Sequence, residues 1–268
     1  MSSAADFRRL AREVLRGRWG IAILTGYIAS LIGATLSTEF EGSFSFEQTY
    51  DISENEMLVS QITELVVGLL PLIIIIGFIS IVVSLVLGGA GRLGYARFNL
   101  NLVDRKEVSV MDLFSQFHRI GSGIAMVLLV KLYTFLWSLL FVIPGIVQSY
   151  SYALTPYVLS ENPEMTAKEA ITASKQIMQG NRWRLFCLEL SFIGWYLLSF
   201  LPSIISVPLL FFEGIFGTGL WMVVVVISAF IGSLFITPYA QAARAAFYRE
   251  VSYGYMRGYN PEFQNGAE

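Results

Sequence analysis

Two ionisable side chains interrupt the long apolar stretches of this 268-residue chain. Lys131 and Glu189 each fall within a predicted membrane-spanning helix, where a charge costs roughly 2.5–3.5 kcal/mol on insertion scales. Both helices are predicted to start on the same side, and the helical rise leaves an axial gap of about 7 Å between the two residues. We therefore predict a Lys131–Glu189 pair, which serves either as a proton or anion relay or as a structural bridge. The alternative is a lysine that snorkels toward the membrane interface.

A polar stripe follows the predicted tight turn at Pro144-Gly145. Its side chains recur at helical spacing, and they are Gln148, Ser151, Tyr152 and Thr155. Inside a membrane, such a stripe must face protein or water. It is predicted either to line a substrate pathway near Lys131 and Glu189, or to supply interhelical hydrogen bonds alone.

The remaining residues give little support to enzymatic or metal chemistry. The chain has one histidine, His118, and one cysteine, Cys187, and neither lies in an acidic cluster at metal-ligand spacing. The sequence contains no nucleophile elbow and no phosphate-binding motif. We therefore expect a protein that is not an enzyme, with no catalytic residue, no metal site and no cofactor. A membrane hydrolase is the least favoured class, because it would need catalytic groups that the chain does not offer.

The elements that must position these residues are membrane helices. Hydrophobic residues make up 55% of the chain and charged residues only 14%, whereas about a quarter of the residues in soluble domains are charged. Six stretches approach the roughly 20 apolar residues that cross a bilayer, and they predict an all-α polytopic membrane protein. The predicted spans are Trp19–Thr38, Leu65–Gly88, Ile124–Ile143, Ile146–Leu159, Leu185–Leu201 and Leu220–Tyr239.

The basic residues predict how these helices are oriented. All but one of the 18 Lys and Arg residues fall in segments 1–18, 91–120, 161–184 and 241–268, and Lys131 is the exception. Basic residues close to spans are held in the cytoplasm. The prediction is therefore three inside-out-inside hairpins with both termini in the cytoplasm and an acidic outer loop. The single membrane domain, 1–268, would comprise units 1–97, 98–160 and 161–248 and a cytoplasmic tail, 249–268, with the outer loop at 39–64.

Each hairpin is preceded by a predicted cytoplasmic helix at the membrane interface. The first has an apolar face formed by Phe7, Leu10, Val14 and Leu15 and an arginine-rich flank that suits an anionic leaflet. The others begin with capping boxes at Ser109–Asp112 and Thr166–Glu169, and Gly180 is predicted to end the third. The hairpins also share membrane signatures, which indicate a parallel repeat. Where the first and third hairpins enter the membrane, the signatures are Gly17-Arg18-Trp19 and Gly180-Asn181-Arg182-Trp183. Where the three hairpins return to the cytoplasmic side, the shared residue is a tyrosine: Tyr95, Tyr157 and Tyr239.

Three stretches of this sequence resemble a known bacterial membrane family. They are FVIPGIVQSYSYALTPYVLSENP in the middle hairpin, SKQIMQGNRWRLFCLELSFIGW in the third, and LRGRWGIAILTGYI near the N-terminus. The Pro-Gly turn and the Gly-x-x-Trp signature are similar to those of the integral membrane family catalogued as domain of unknown function 975. The resemblance implies a bacterial cytoplasmic membrane protein with six helices. It implies no activity, and the acidic 39–64 loop is not one of its hallmarks.

Two functions remain compatible with the sequence. The first is a non-enzymatic membrane protein that binds or organises lipid or a partner, which suits the interfacial helices and the lack of catalytic groups. The second is a small-solute or lipid permease that uses the polar cluster between predicted helices 3, 4 and 5. The expected partners are membrane lipid and a protein partner or a second copy of the chain. Nucleic acid is not expected, because the basic residues are explained by topology and lipid contact.

Overall fold

The computed structural model describes residues 2–34, 56–199, 201–208 and 215–259, and the regular elements in these ranges are all helical. This confirms the all-α class. The α-helices are α1 Ala4–Leu15, α2 Trp19–Leu31, α3 Glu56–Val103, α4 Ile120–Leu140, α5 Val142–Tyr152, α6 Thr155–Glu161, α7 Ala167–Ile177, α8 Arg182–Ser199, α9 Leu201–Ile205 and α10 Ile215–Tyr259. Two 3₁₀ helices, Val110–Phe114 and Phe117–Arg119, precede α4.

Three stretches of the described residues are long and apolar enough to cross a membrane: Val110–Leu140, Arg182–Ile205 and Leu220–Tyr253. Helix α2 and the stretch Val67–Ile76 of α3 are apolar but shorter. Large apolar side chains are exposed along α4, α8 and α10, which is the pattern expected of surfaces covered by lipid. The six-span arrangement stays a prediction. Most of the predicted outer loop, residues 39–55, lies outside the described ranges.

Helices α3 and α10 continue well past their predicted spans. They contain 48 and 45 residues, or about 70 Å each at 1.5 Å per residue, more than twice the thickness of a hydrocarbon core. Their C-terminal parts contain many of the buried side chains, among them Leu93, Phe98, Leu102, Phe247 and Val251. The densest packing therefore lies at one end of the helices, which we call the basic end because α1, α7 and the C-terminal parts of α3 and α10 bring the basic segments together there.

The predicted fourth span, Ile146–Leu159, is not one continuous helix. The chain forms two short helices, α5 and α6, which meet at Ala153-Leu154. Pro156 lacks the N–H that would bond to the carbonyl of Tyr152. The hydroxyl of Thr155 donates to that carbonyl instead, at 2.7 Å. The Tyr152 carbonyl therefore has a hydrogen-bond donor although the regular helical bond is missing. The break also changes the direction of the chain, so that α6 packs in the buried core of the basic end.

The predicted interfacial helices are covered by protein rather than by lipid on their apolar faces. Phe7 and Val14 of α1 are buried, and the Phe7 ring packs edge-on against Phe247 of α10 at a centroid distance of 5.4 Å. Ile171 of α7 is also buried. The amphipathic pattern correctly predicted that one face of each helix is hidden. The pattern could not identify whether protein or lipid covers that face.

The three predicted hairpin units pack in a closed cycle. The preceding element of each unit contacts the returning helix of the unit before it: Val110–Phe114 on α3, α7 on α6, and α1 on α10. The first membrane helices follow the same order, with α4 on α3, α8 on α5, and α2 on α10. Gly17 and Gly180, which end the first and third preceding helices, both have φ of 80°, the left-handed conformation that glycine adopts without strain. These contacts support the predicted repeat, while the unit boundaries stay predictions.

Candidate functional site

The structure places Glu189 against Arg244 of α10 rather than against Lys131. The carboxylate of Glu189 forms an ion pair with Arg244 and accepts a hydrogen bond from the Tyr150 hydroxyl at 2.8 Å. Arg244 is buried, with 9% of its surface exposed. Lys131 is exposed and forms no ion pair within the described ranges. The predicted Lys131–Glu189 pair is therefore wrong.

The position of α5 explains why the two residues do not meet. This helix contacts both α4 and α8. On one side, Tyr152 packs against Tyr133 of α4 at 6.2 Å between ring centroids. On the other, Tyr150 packs edge-on against Phe186 of α8 at 5.9 Å. The axial estimate from the sequence ignored this intervening helix, whose Tyr150 hydroxyl donates to Glu189.

The predicted polar stripe does not form one continuous polar surface. Ser151 and Thr155 are fully buried and donate to carbonyl groups of their own segment, at 2.9 and 2.7 Å. The carbonyl of Ser151 also accepts a hydrogen bond from Ser174 of α7, at 2.8 Å. Tyr152 is buried against α4. Of these four residues, Gln148 is the one whose buried side-chain oxygen has no hydrogen-bond partner. Three of the four residues therefore serve local structure and packing.

A second ionic cluster joins three helices at the basic end. Arg249 of α10 binds Asp104 at the end of α3 through two hydrogen bonds of 2.6 and 2.8 Å. It also binds Glu161 of α6 at 2.5 Å, and the same carboxylate accepts a hydrogen bond from Tyr248 at 2.7 Å. Forked contacts of this kind fix geometry because the guanidinium group is planar. Sequence reasoning assigned Arg249 to topology and did not predict this cluster.

A third ionic contact ties the N-terminus to the last unit. Arg184 of α8 binds Glu250 of α10 at 2.5 Å and the carbonyl of Ser2 at 3.1 Å. The N–H of Ser2 also donates to Glu250 at 3.2 Å. The three ionic groups centred on Arg184, Arg244 and Arg249 connect α10 to α8, α3 and α6. No short sequence motif signals them, because their partners lie 55 to 145 residues apart.

Among the described residues, three fully buried side chains have a hydroxyl group without a hydrogen-bond partner. They are Thr25, Tyr95 and Tyr157. Tyr157 lies close enough to Arg244 and Glu189 to interact with them electrostatically. Burial raises the pKa of Tyr95, so its hydroxyl stays neutral. An unpaired buried hydroxyl is costly, so these groups suit water or a small polar solute.

The described residues contain no grouping of three His, Cys, Asp or Glu side chains that could hold a metal ion. His118 lies exposed on the second 3₁₀ helix, and Cys187 lies half-buried on α8. A groove of about 600 Å³ opens at the basic end between α1 and α10, with Asp6, Glu13 and Glu250 among its lining residues. The described residues therefore offer a ligand ion pairs and hydrogen bonds.

The helices and the ionic groups together define an all-α protein with helices suited to crossing a membrane and a packed basic end. Residues 139–254 match the family model described as protein of unknown function DUF975. This range carries α5 to α9 and most of α10, and the resemblance noted in the sequence is confirmed over it. Searches of curated proteins and of solved structures found no significant match.

Proposed function

We propose that this chain is a non-enzymatic integral membrane protein that binds membrane lipid or a protein partner and holds it at the bilayer. In this proposal both termini face the cytoplasm, so the basic end lies at the inner leaflet. Such an orientation follows the rule that basic residues near spans are retained inside. The exposed apolar surfaces of α4, α8 and α10 support membrane embedding.

The observation that carries the proposal is the position of Lys131. Its side chain is exposed on α4, where Leu128, Leu132 and Phe135 are exposed as well. At 1.5 Å per residue it lies about 12 Å along α4 from Gly123, which packs against Gly89. A cation on an apolar membrane surface is a functional hypothesis by default. An anionic group from outside the chain would offset its cost.

The experiment compares wild-type protein with Lys131→Met and Lys131→Arg, each purified in mild detergent. Native mass spectrometry measures the mass of lipid or protein that stays bound to each. We expect bound lipid or a bound second copy in wild type and Lys131→Arg, and its loss in Lys131→Met. Lys106→Met is the control, because Lys106 is exposed but pairs with Asp104 of its own chain. If all four proteins carry the same additional bound mass, a binding role for Lys131 is contradicted.

A permease remains the second function. It is supported by the unpartnered Tyr157 hydroxyl beside the buried Arg244–Glu189 pair, since such a centre could contact a polar solute. The packing of Ser151 and Thr155 into the core weighs against a pathway along α5. Access of water to Gln148, tested as described in the Discussion, separates the two functions.

A further inference from the structure

Two arginines lie on one flank of α1, and neither forms an ion pair with an acidic residue in the described part of the chain. Arg8 and Arg12 are four residues apart, so their side chains share one face of the helix. The two acidic residues of α1 are engaged elsewhere: Asp6 pairs with Arg9, and Glu13 pairs with Arg105. Like charges at this spacing repel each other. This flank therefore has an excess of positive charge.

The flank is fixed against two other helices. The Tyr239 hydroxyl of α10 donates to the carbonyl of Arg8 at 3.2 Å, and the guanidinium of Arg8 donates to the carbonyl of Ser191 of α8 at 3.2 Å. Both Arg8 and Arg12 lie close enough to the Tyr239 hydroxyl to interact with it electrostatically. Arg12 is exposed and makes no hydrogen bond or ion pair within the described ranges.

Aromatic side chains continue this surface toward the apolar part of the molecule. The rings of Trp19 and Trp195 lie 6.4 and 6.3 Å from that of Tyr239. Trp195 is 44% exposed, and Phe235, which packs against Trp19, is 53% exposed. Tryptophan and tyrosine favour the level of lipid headgroups. The arginines therefore lie beside an aromatic surface that suits the boundary between headgroups and acyl chains.

We propose that α1, α8 and α10 form a binding site for an anionic phospholipid, with Arg8 and Arg12 at its phosphate and Trp195 and Phe235 along its acyl chain. This proposal rests on the lipid-binding part of the proposed function and names the lipid class. Basic pockets between membrane helices on the cytoplasmic side are suited to such headgroups. An acidic protein segment would satisfy the arginines, but it would not use the exposed aromatic surface next to them.

The test uses the full chain in detergent, titrated with phosphatidylglycerol, with zwitterionic phosphatidylcholine, or with inorganic phosphate, and read by native mass spectrometry. We expect Arg12→Gln to weaken phosphatidylglycerol binding about fivefold, since a basic residue near a membrane surface contributes about 1 kcal/mol. Arg12→Lys should retain most of the binding. Arg8 is left unchanged, because its contact with Ser191 also positions α1.

Lys175→Gln is the matched control. Lys175 is exposed and lies five residues before Gly180, as Arg12 lies five residues before Gly17. Equal weakening by Lys175→Gln, equal affinity for phosphatidylcholine, or displacement of the lipid by millimolar phosphate would each overturn the site. If Arg12→Gln binds phosphatidylglycerol as wild type does, this site fails while lipid binding stands. If wild type retains neither lipid nor a partner, the proposed function itself fails.

Discussion

The buried ion pair between Arg244 and Glu189 gives the sharpest prediction of stability. The two side chains are only 11% and 22% exposed. Removing one partner of a buried pair costs about 3–5 kcal/mol, because the remaining charge is left without its counterion. Arg244→Met should fall at the lower end of this range, since Tyr150 still donates to Glu189 at 2.8 Å. Glu189→Gln should fall at the upper end, since it leaves a buried cation.

Thermal unfolding in detergent, followed by tryptophan fluorescence, measures this loss. A change of 1 kcal/mol shifts the Tm of a chain of this size class by about 2–4 °C, so each single variant should lose about 6–20 °C. The double variant with methionine at both positions should regain most of that loss, because apolar replacement of a buried pair is often neutral.

Lys131→Met serves as the internal comparison in the same experiment. Since Lys131 does not contact Glu189, the effects of Lys131→Met and Glu189→Gln should add, with a coupling energy near zero. A coupling of 1 kcal/mol or more between Lys131 and Glu189, together with none between Arg244 and Glu189, would refute the assignment of the pair.

Two further predictions concern packing and access. A Cβ on Gly94 would lie 1.8 Å from the carbonyl oxygen of Leu113, so Gly94→Ala should lower the free energy of unfolding by about 1–3 kcal/mol or more. In the control, Gly121→Ala, the new Cβ meets nothing within 4 Å, and the variant should be neutral or stabilising. Thermal unfolding of both variants measures the difference. In a Cys187→Ser background, a cysteine in place of Gln148 should resist a water-soluble thiol reagent applied from either side. Rapid labelling would favour the permease instead.

The sequence predicted local features well because they depend on neighbouring residues. The capping box at Thr166–Glu169 is present, with the Glu169 carboxylate accepting from the Thr166 N–H at 2.8 Å. The box at Ser109–Asp112 is present too. Gly180 follows the end of α7, as predicted. Each of these signals acts within about four residues, so a single chain carries all the information needed.

The long-range contacts could not be predicted in the same way. Arg244 and Arg249 fell in a basic C-terminal segment, and hydropathy gave no reason to extend α10 past Tyr239. Only the continued helix brings Arg244 to Glu189 and Arg249 to Asp104. The distribution of basic residues predicts the side of the membrane on which each one lies, but it does not predict which residue each one pairs with.

In the cyclic packing of the three predicted units, each unit contacts both of the others. The contact between the first unit and α10 includes the hydrogen bond that the N–H of Ser2 donates to Glu250. Three separate copies of one hairpin around a symmetry axis would make one kind of junction three times. Because the three units of one polypeptide differ in sequence, their junctions differ too: Arg8 and Arg12 lie where α1 meets α10, and Gly89 contacts Gly123 where α3 meets α4.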